Sequence, residues 1–214
     1  MPGSTSEPLD ARERRELCDL LEELGPDAPT LCEGWTTQDM AAHLVVRERN
    51  PTAGPGILLG GSFAAHTERL MAKAKGAGYR ALVDRVRNGP PFGPFAVPGL
   101  RTLINLQEYV VHHEDVRRAN NLGPRTDRPD LQDALWGLLR RGARLLLRKV
   151  RGATVRLQRP DGSAVSLGKG PEVTVAGEPV DVLLYLFGRE GAAQVEITGD
   201  PGAQQILAES PRGI

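Results

Sequence analysis

NLQEYVVHHEDVRRA, residues 105–119, sets a carboxylate and an imidazole four positions apart within a helical run. Glu108 and His112 are this pair. At 3.6 residues per turn their Cβ atoms lie one above the other, about 40° apart around the helix axis, so both side chains can reach one point in space. Such a point can hold a metal ion.

His113 follows His112 directly, and neighbouring residues lie about 100° apart around a helix. The two imidazoles cannot both face one interior site, so we expect His112 to be the ligand and His113 to lie outside the site. The face that carries the pair is typical of an inward-facing polar cluster in a helical bundle. It comprises Ile104, Asn105, Glu108, Val111, His112, Asp115 and Val116.

Composition limits the classes of function. The 214 residues suffice for one large domain or two small ones. There are 27 basic and 27 acidic residues, and this balance argues against a protein that mainly coats nucleic acid or an anionic membrane. No secretory signal and no membrane-spanning run of about 18 apolar residues is seen, so a cytoplasmic protein with a small-molecule substrate is expected. Cys18 and Cys32 are too few for a disulfide framework, and each is expected to be an unreactive packing residue.

Helical periodicity covers the first 150 residues. We expect helices over residues 7–24, 36–49, 62–75, 79–88, 100–119 and 129–150. Thr36 and Asp39 have the spacing of a capping box at the start of the second helix. In the loop 89–99, which is rich in Pro and Gly, Phe92 and Phe95 are expected to cover one end of the bundle.

The last of these helices has two distinct faces. Its expected buried side carries Leu131, Leu135, Leu138, Leu139, Leu145 and Leu146. Along another side runs an arginine ridge of Arg140, Arg144, Arg148 and Arg151. The ridge is compatible with nucleic-acid binding, but a solvated face paired with acidic residues explains it as well and agrees with the neutral chain.

From about Gly152 the period changes to the alternation typical of strands. ATVRLQRP, AVSLGKG and EVTVAG predict three short antiparallel strands, and a helix, a strand and a helix that begins at Pro201 follow. The sequence therefore predicts an α+β protein. A metal-binding helical bundle would cover residues 1–152, and a small α+β domain of β-β-β-α-β-α order would cover residues 153–214.

His43 lies in the middle of the second helix. Taken alone, a histidine among Met40, Ala41 and Leu44 is more typical of a packed core than of a metal site. The Glu108/His112 pair on another helix changes this interpretation, because an open site with three ligands needs a third ligand from a facing helix. His66, near the start of the third helix, either joins that site or faces solvent.

Three stretches together resemble a known family: CEGWTTQDMAAHL, EYVVHHEDVRRA, and EPVDVLLYLFGRE with the ITGD that follows it. They are similar to the actinobacterial, maleylpyruvate-isomerase-like branch of the DinB-like metal-binding superfamily, in order and over nearly the whole chain. The resemblance implies an N-terminal four-helix bundle that binds a divalent metal, usually zinc, through His43, Glu108 and His112. It also implies a C-terminal domain like the sterol-carrier fold, and mycothiol as a thiol cofactor for isomerisation or S-transfer. Arg189 is the basic residue that it carries over as a catalytic candidate.

The expected activity is attack of a zinc-activated thiol on a small electrophile. Asp115, one turn beyond His112, would accept the other N–H of that histidine or act as a proton acceptor. Two alternatives stay open: a non-catalytic metal-binding or ligand-binding module, and a buried hydrogen-bonded Glu108–His112 pair without metal. A monomer and a homodimer are both compatible with the sequence.

Overall fold

The structure is a computed structural model that describes residues 7–50, 62–91, 100–125 and 127–212. The expected cover formed by Phe92 and Phe95 lies outside these residues, as does the side chain of Ile104. Contacts between Cα atoms divide the chain into two compact units, Met1–Pro124 and Arg125–Ile214. The boundary expected after residue 152 stays a prediction about separable domains.

The first unit is helical in its described part, and the second combines helices with a sheet. The first contains α1 (Leu9–Leu24), α2 (Thr37–Arg49), α3 (Ser62–Lys75), α4 (Tyr79–Asn88) and α5 (Leu100–Ala119). The second contains α6 (Pro129–Leu146), β1 (Thr154–Gln158), β2 (Ala164–Gly168), β3 (Glu172–Ala176), α7 (Pro179–Leu186), β4 (Glu196–Gly199) and α8 (Pro201–Glu209). The predicted α+β class and the β-β-β-α-β-α order are confirmed.

An aliphatic core holds the helical unit together, since burial of apolar surface is the main force that stabilises such a bundle. Helix α1 packs against α4 and α5, and α2 packs against α3 and α4. Fully buried side chains from these helices include Leu17, Leu21, Met40, Leu44, Leu82 and Tyr109. Helix α2 begins as predicted, with Asp39 accepting hydrogen bonds from the backbone N–H and the hydroxyl of Thr36.

The sheet of the second unit has the strand order β2-β1-β3-β4. Strand β1 pairs antiparallel with β2 and parallel with β3, and β3 pairs antiparallel with β4. The prediction of three antiparallel strands was therefore wrong for β1 and β3. The link 169–171 passes the start of β1, where the Thr154 amide donates to the Pro171 carbonyl, and so β3 pairs on the far side of β1.

Two glycines let this link pass close to the backbone of β1. Gly168 and Gly170 have φ angles of 98° and 130°. A Cβ atom on Gly170 would lie 2.3 Å from the Gly152 carbonyl oxygen, and one on Gly168 would lie 2.4 Å from the Ala153 carbonyl oxygen. Both the φ values and the close approach therefore require glycine.

Helix α6 belongs to the second unit, where it packs against α7 and β2. Leu131, Leu135, Leu139 and Leu146 are buried as predicted. Leu145 was wrongly expected on the same side, because it lies about 100° around the helix from Leu146 and is 53% exposed. In the part of the chain that the structure describes, no helix combines the length and the apolar character that crossing a bilayer requires.

Candidate metal centre

Three side-chain nitrogen atoms in the helical unit lie close to one carboxylate oxygen. Glu108 Oε1 lies 3.2 Å from His43 Nε2 and 3.3 Å from His112 Nε2. Arg47 Nε approaches the same oxygen to 3.1 Å. The structure thus brings together His43 from α2 with Glu108 and His112 from α5, the three ligands predicted from the sequence. One ligand atom from each of them lies within 4.8 Å of the others.

These separations fit a small divalent cation. In a tetrahedral site with zinc bonds of about 2.0–2.1 Å, neighbouring ligand atoms lie about 3.3–3.4 Å apart. The two Nε2–Oε1 separations of 3.2 and 3.3 Å are close to that value. Two imidazoles and one carboxylate are also a donor set that open zinc sites use. The residues therefore fit the metal that the family resemblance implies.

Burial and neighbouring groups put two of the donors in the protonation states that a metal needs. Burial lowers the pKa of His43, and this outweighs the opposing effect of its hydrogen bond to the Glu108 carboxylate, so the imidazole is neutral at pH 7. For Glu108, burial favours the neutral acid, but hydrogen bonds from His112 and His43 and the charge of Arg47 outweigh it and hold the pKa well below its usual value. The Glu108 side chain is 20% exposed, whereas those of His43 and His112 are 8% and 10% exposed.

Asp115 sets the orientation of His112. Its Oδ2 atom lies 3.0 Å from His112 Nδ1, and the Cys32 thiol donates to the same oxygen over 3.4 Å. Burial would lower the pKa of His112, yet the hydrogen bonds with Asp115, Cys32 and Glu108 raise it well above its usual value. A metal bound at His112 Nε2 would have to displace the proton that this raised pKa favours, so metal binding there would depend on pH.

Sequence reasoning missed two residues of the centre. Arg47 follows His43 by four positions, so the helical spacing that paired Glu108 with His112 could have placed it on the same face of α2. Cys32 lies in the loop before α2, where no periodicity indicates its direction. Its half-buried thiol contacts Asp115, in addition to the packing role expected from the sequence. Cys18 is fully buried, as expected for a packing residue, and burial raises the pKa of its thiol to about 12.

The remaining candidates lie elsewhere. His113 is buried and its Nδ1 atom lies 3.1 Å from Glu13 on α1, so it faces away from the pair as predicted. His66 on α3 is half-buried and belongs to none of the clusters with metal-ligand spacing that the described residues form. Arg189 lies in the second unit, where its guanidinium donates to the Phe187 carbonyl over 2.7 Å. Its catalytic role stays a prediction.

A family profile matches the N-terminal part of the chain. Residues 10–54 match the sequence profile of the family described as the mycothiol maleylpyruvate isomerase N-terminal domain, a segment that includes His43 and Arg47. Over residues 10–54 this match confirms the resemblance to the maleylpyruvate-isomerase family found in the sequence. No curated protein matches the chain by sequence.

Comparison with solved structures then shows which fold the chain shares. The crystal structure of the mycothiol-dependent maleylpyruvate isomerase is similar to this chain, with a TM-score of 0.53, 16% identity and 90% of each chain covered. At this identity the likeness establishes the shared fold alone. A crystal structure of a histidine-to-alanine mutant of that isomerase also matches, with a TM-score of 0.44, 16% identity and 90% coverage of each chain.

Proposed function

We propose that this protein is a metal-dependent enzyme that uses a low-molecular-weight thiol of the mycothiol kind to attack a small electrophile. The observation that carries the proposal is that His43 Nε2, Glu108 Oε1 and His112 Nε2 lie at the spacing of metal ligands. The matching family profile, which is described by mycothiol and an isomerase reaction, supports the thiol as co-substrate.

His43, Glu108 and His112 would hold a divalent metal, for which zinc is the best candidate on donor set and spacing. In an open site of this kind the metal acts as a Lewis acid and lowers the pKa of a bound thiol, so that a thiolate is available at neutral pH.

The other residues of the centre hold the donors in place. Asp115 accepts the Nδ1–H of His112, and once a metal had displaced the proton on Nε2, that nitrogen would present its lone pair to the site. Asp115 is fully buried and hydrogen-bonded, and we therefore assign it a positioning role rather than proton transfer with substrate. Arg47 contacts Glu108 through Nε and donates to Asn105 Oδ1 through Nη1 over 2.7 Å, which fixes the carboxylate from the side of α2.

Three further points belong to the proposal, and they concern Trp35, Arg189 and the cellular compartment. The Trp35 ring lies 5.1 Å from the His43 ring and restricts the rotation of that imidazole. Arg189 stays proposed as a catalytic residue on the family resemblance alone. We place the reaction in the cytoplasm, where low-molecular-weight thiols stay reduced, in agreement with the free Cys18 and Cys32.

The first experiment measures metal in the purified full chain by inductively coupled plasma mass spectrometry. We expect about one zinc per chain in the wild type, and loss of most of it in His43→Ala and Glu108→Gln. His66→Ala is the matched control, because His66 is a half-buried histidine of the same unit outside the cluster. Metal that persists in both cluster variants, or that is absent from the wild type after zinc addition, would sink the proposal.

The second experiment tests the chemistry. Mycothiol and 1-chloro-2,4-dinitrobenzene are mixed with the protein, and formation of the thioether is followed by absorbance. We expect zinc-dependent acceleration that Glu108→Gln abolishes and His66→Ala retains. Acceleration that survives in Glu108→Gln would exclude metal-assisted thiol activation at this centre.

One observation favours a second candidate, a hydrogen-bonded cluster without catalytic metal. The separations of 3.2 and 3.3 Å around Glu108 are long but acceptable hydrogen bonds, and Arg47 already neutralises the carboxylate. In that case the protein would be a ligand-binding module. Zinc without thiol transfer would indicate a non-catalytic metal-binding module, whereas neither zinc nor activity would indicate the hydrogen-bonded cluster.

A further inference from the structure

The second unit contains a cleft that the proposed chemistry does not use. Its volume is about 330 Å³, and it lies between the end of α6, the segment that leads into β1, and the end of β2. The residues that line it are Arg144, Leu147, Arg148, Val150, Arg151, Ala153, Val155, Leu167, Gly168 and Lys169. All of them belong to the second unit.

Four cationic side chains line this cleft and no acidic one does. Arg144, Arg148 and Arg151 come from the arginine ridge, and Lys169 comes from the link after β2. All four residues are exposed, and within the described residues none of them forms an ion pair with a carboxylate. The acid pairing expected for the ridge is therefore not found at these positions, and the cleft has an unbalanced positive charge.

The floor of the cleft is apolar. Ala153 and Val155 are each 1% exposed and Leu147 is 6% exposed, so these three form a packed base rather than a solvated surface. Val150 and Leu167 are half-buried at its sides. A ligand that matches this lining carries negative charge at one end and an apolar body at the other.

The position of Lys169 is built into the fold. It lies between Gly168 and Gly170, whose backbone passes within van der Waals distance of residues 152 and 153. The Thr154 hydroxyl donates to the Gly170 carbonyl over 2.9 Å and fixes the link there. The backbone of Lys169 is thus fixed beside the cleft, which limits the ordering that a ligand would have to impose on this link.

We infer that this cleft binds a small organic phosphate with a short apolar body. A phosphate dianion matches several Lys and Arg donors at once. A volume of about 330 Å³ lies at the small end of pockets that hold single organic molecules, which are about 300–1,000 Å³. This cleft shares no residue with the metal centre of the helical unit, and its occupation does not depend on the thiol chemistry proposed there.

The test uses isothermal titration calorimetry on the full chain with hexyl phosphate as the probe. We expect saturable binding, at least tenfold tighter than that of inorganic phosphate, which lacks the body. Hexan-1-ol, which lacks the charge, is expected not to bind measurably. The double variant Arg148→Gln/Lys169→Gln should weaken hexyl phosphate binding at least tenfold.

The matched control is Arg140→Gln/Lys149→Gln, which removes one arginine and one lysine from exposed positions that do not line the cleft. It should bind hexyl phosphate within twofold of the wild type. If both double variants lost the same affinity for hexyl phosphate, the ligand would be attracted by the overall charge of the protein, and the proposed site would be wrong. The proposal also fails if hexyl phosphate does not bind at millimolar concentration. Tighter binding of a short DNA duplex that the Arg148→Gln/Lys169→Gln variant abolishes would replace it with a nucleic-acid surface.

Discussion

The His43 imidazole lies 3.2 Å from the Glu108 carboxylate although 65 positions separate the two residues in the chain. One is on α2 and the other on α5, so the site exists only when the helical unit is folded. Ligands that bind the folded state alone stabilise it, by about 2.7 kcal/mol at a concentration one hundred times the dissociation constant. We therefore predict that excess zinc raises the thermal unfolding temperature and that a chelator lowers it.

Differential scanning calorimetry of the full chain, with and without zinc, measures this effect. His43→Ala should abolish the zinc-dependent shift, whereas His66→Ala should keep it. A shift of the same size in His43→Ala would mean that zinc binds elsewhere.

Loss of Asp115 should weaken metal binding without removing a ligand. Its carboxylate accepts the Nδ1–H of His112 over 3.0 Å, and partners that orient a ligand histidine typically contribute ten- to hundredfold in metal affinity. We expect this loss in Asp115→Ala and a smaller one in Asp115→Asn, which keeps an acceptor oxygen. Competition with a chromophoric chelator measures the affinity, and Glu23→Ala at an exposed position of α1 is the control. Unchanged affinity in Asp115→Ala would exclude the positioning role.

The sequence was sufficient for the contacts that helical spacing governs. Four residues separate Glu108 from His112, and this spacing alone predicted that they share a point. The same rule applied to His43 would have found Arg47. It could not find Cys32, because the loop before α2 has no period and is held by the hydrogen bond from the Leu31 amide to the Asp115 carbonyl.

Strand pairing was less accessible from the sequence. Alternation of apolar and polar residues located β1, β2 and β3 because each buries one face. It does not specify which edge of β1 receives β3. That choice depends on the three-residue link around Gly170, whose φ of 130° lets the chain pass the start of β1.

A buried ion pair in the helical unit should have a large effect on stability. Arg14 and Glu48 are 5% and 7% exposed and form two hydrogen bonds of 2.7 and 2.6 Å. The Tyr109 hydroxyl and the Asn105 amide also donate to Glu48, each over 2.9 Å. Glu48→Gln would leave the Arg14 charge buried without its counter-charge, and breaking such pairs typically costs about 3–5 kcal/mol.

Urea unfolding at pH 7 measures the change in free energy of unfolding. The control is the exposed pair of Arg15 and Glu7, whose side chains are 47% and 43% exposed. Glu7→Gln should cost less than about 1 kcal/mol, since solvent screens exposed pairs. Equal effects of the two substitutions would contradict the assigned difference in burial.

The cap of α2 should give stability that depends on pH. Burial disfavours the Asp39 carboxylate, but hydrogen bonds from Lys75 and Thr36 outweigh it and lower the pKa below 3.8. A lowered folded-state pKa contributes stability that is present above the unfolded-state pKa and is lost as the pH falls through the folded-state value. The stability difference between wild type and Asp39→Asn should therefore be largest near pH 7 and shrink below about pH 4.

Urea unfolding of both proteins between pH 7 and pH 2.5 measures that difference. Lys75→Met removes the partner that lies 2.7 Å from Asp39, so the pH-dependent difference should become smaller in its background. A difference that is constant across this pH range would show that the cap does not depend on the Asp39 charge.

Comparing Gly170→Ala with Gly162→Ala should separate two effects on the free energy of unfolding. One is the strain of a side chain at positive φ, and the other is the close packing of the link 169–171 on β1. Gly162→Ala serves as the control, because its φ is 86° and a Cβ there has no neighbour within 4 Å. We expect it to cost about 1–2 kcal/mol for the left-handed backbone alone. In Gly170→Ala the Cβ would also lie 2.3 Å from the Gly152 carbonyl oxygen, which should cost about 1–3 kcal/mol more. The backbone shift should displace Lys169 and weaken hexyl phosphate binding. If urea unfolding gave the same loss of stability for both variants, and Gly170→Ala bound hexyl phosphate like the wild type, the link would not be closely packed on β1.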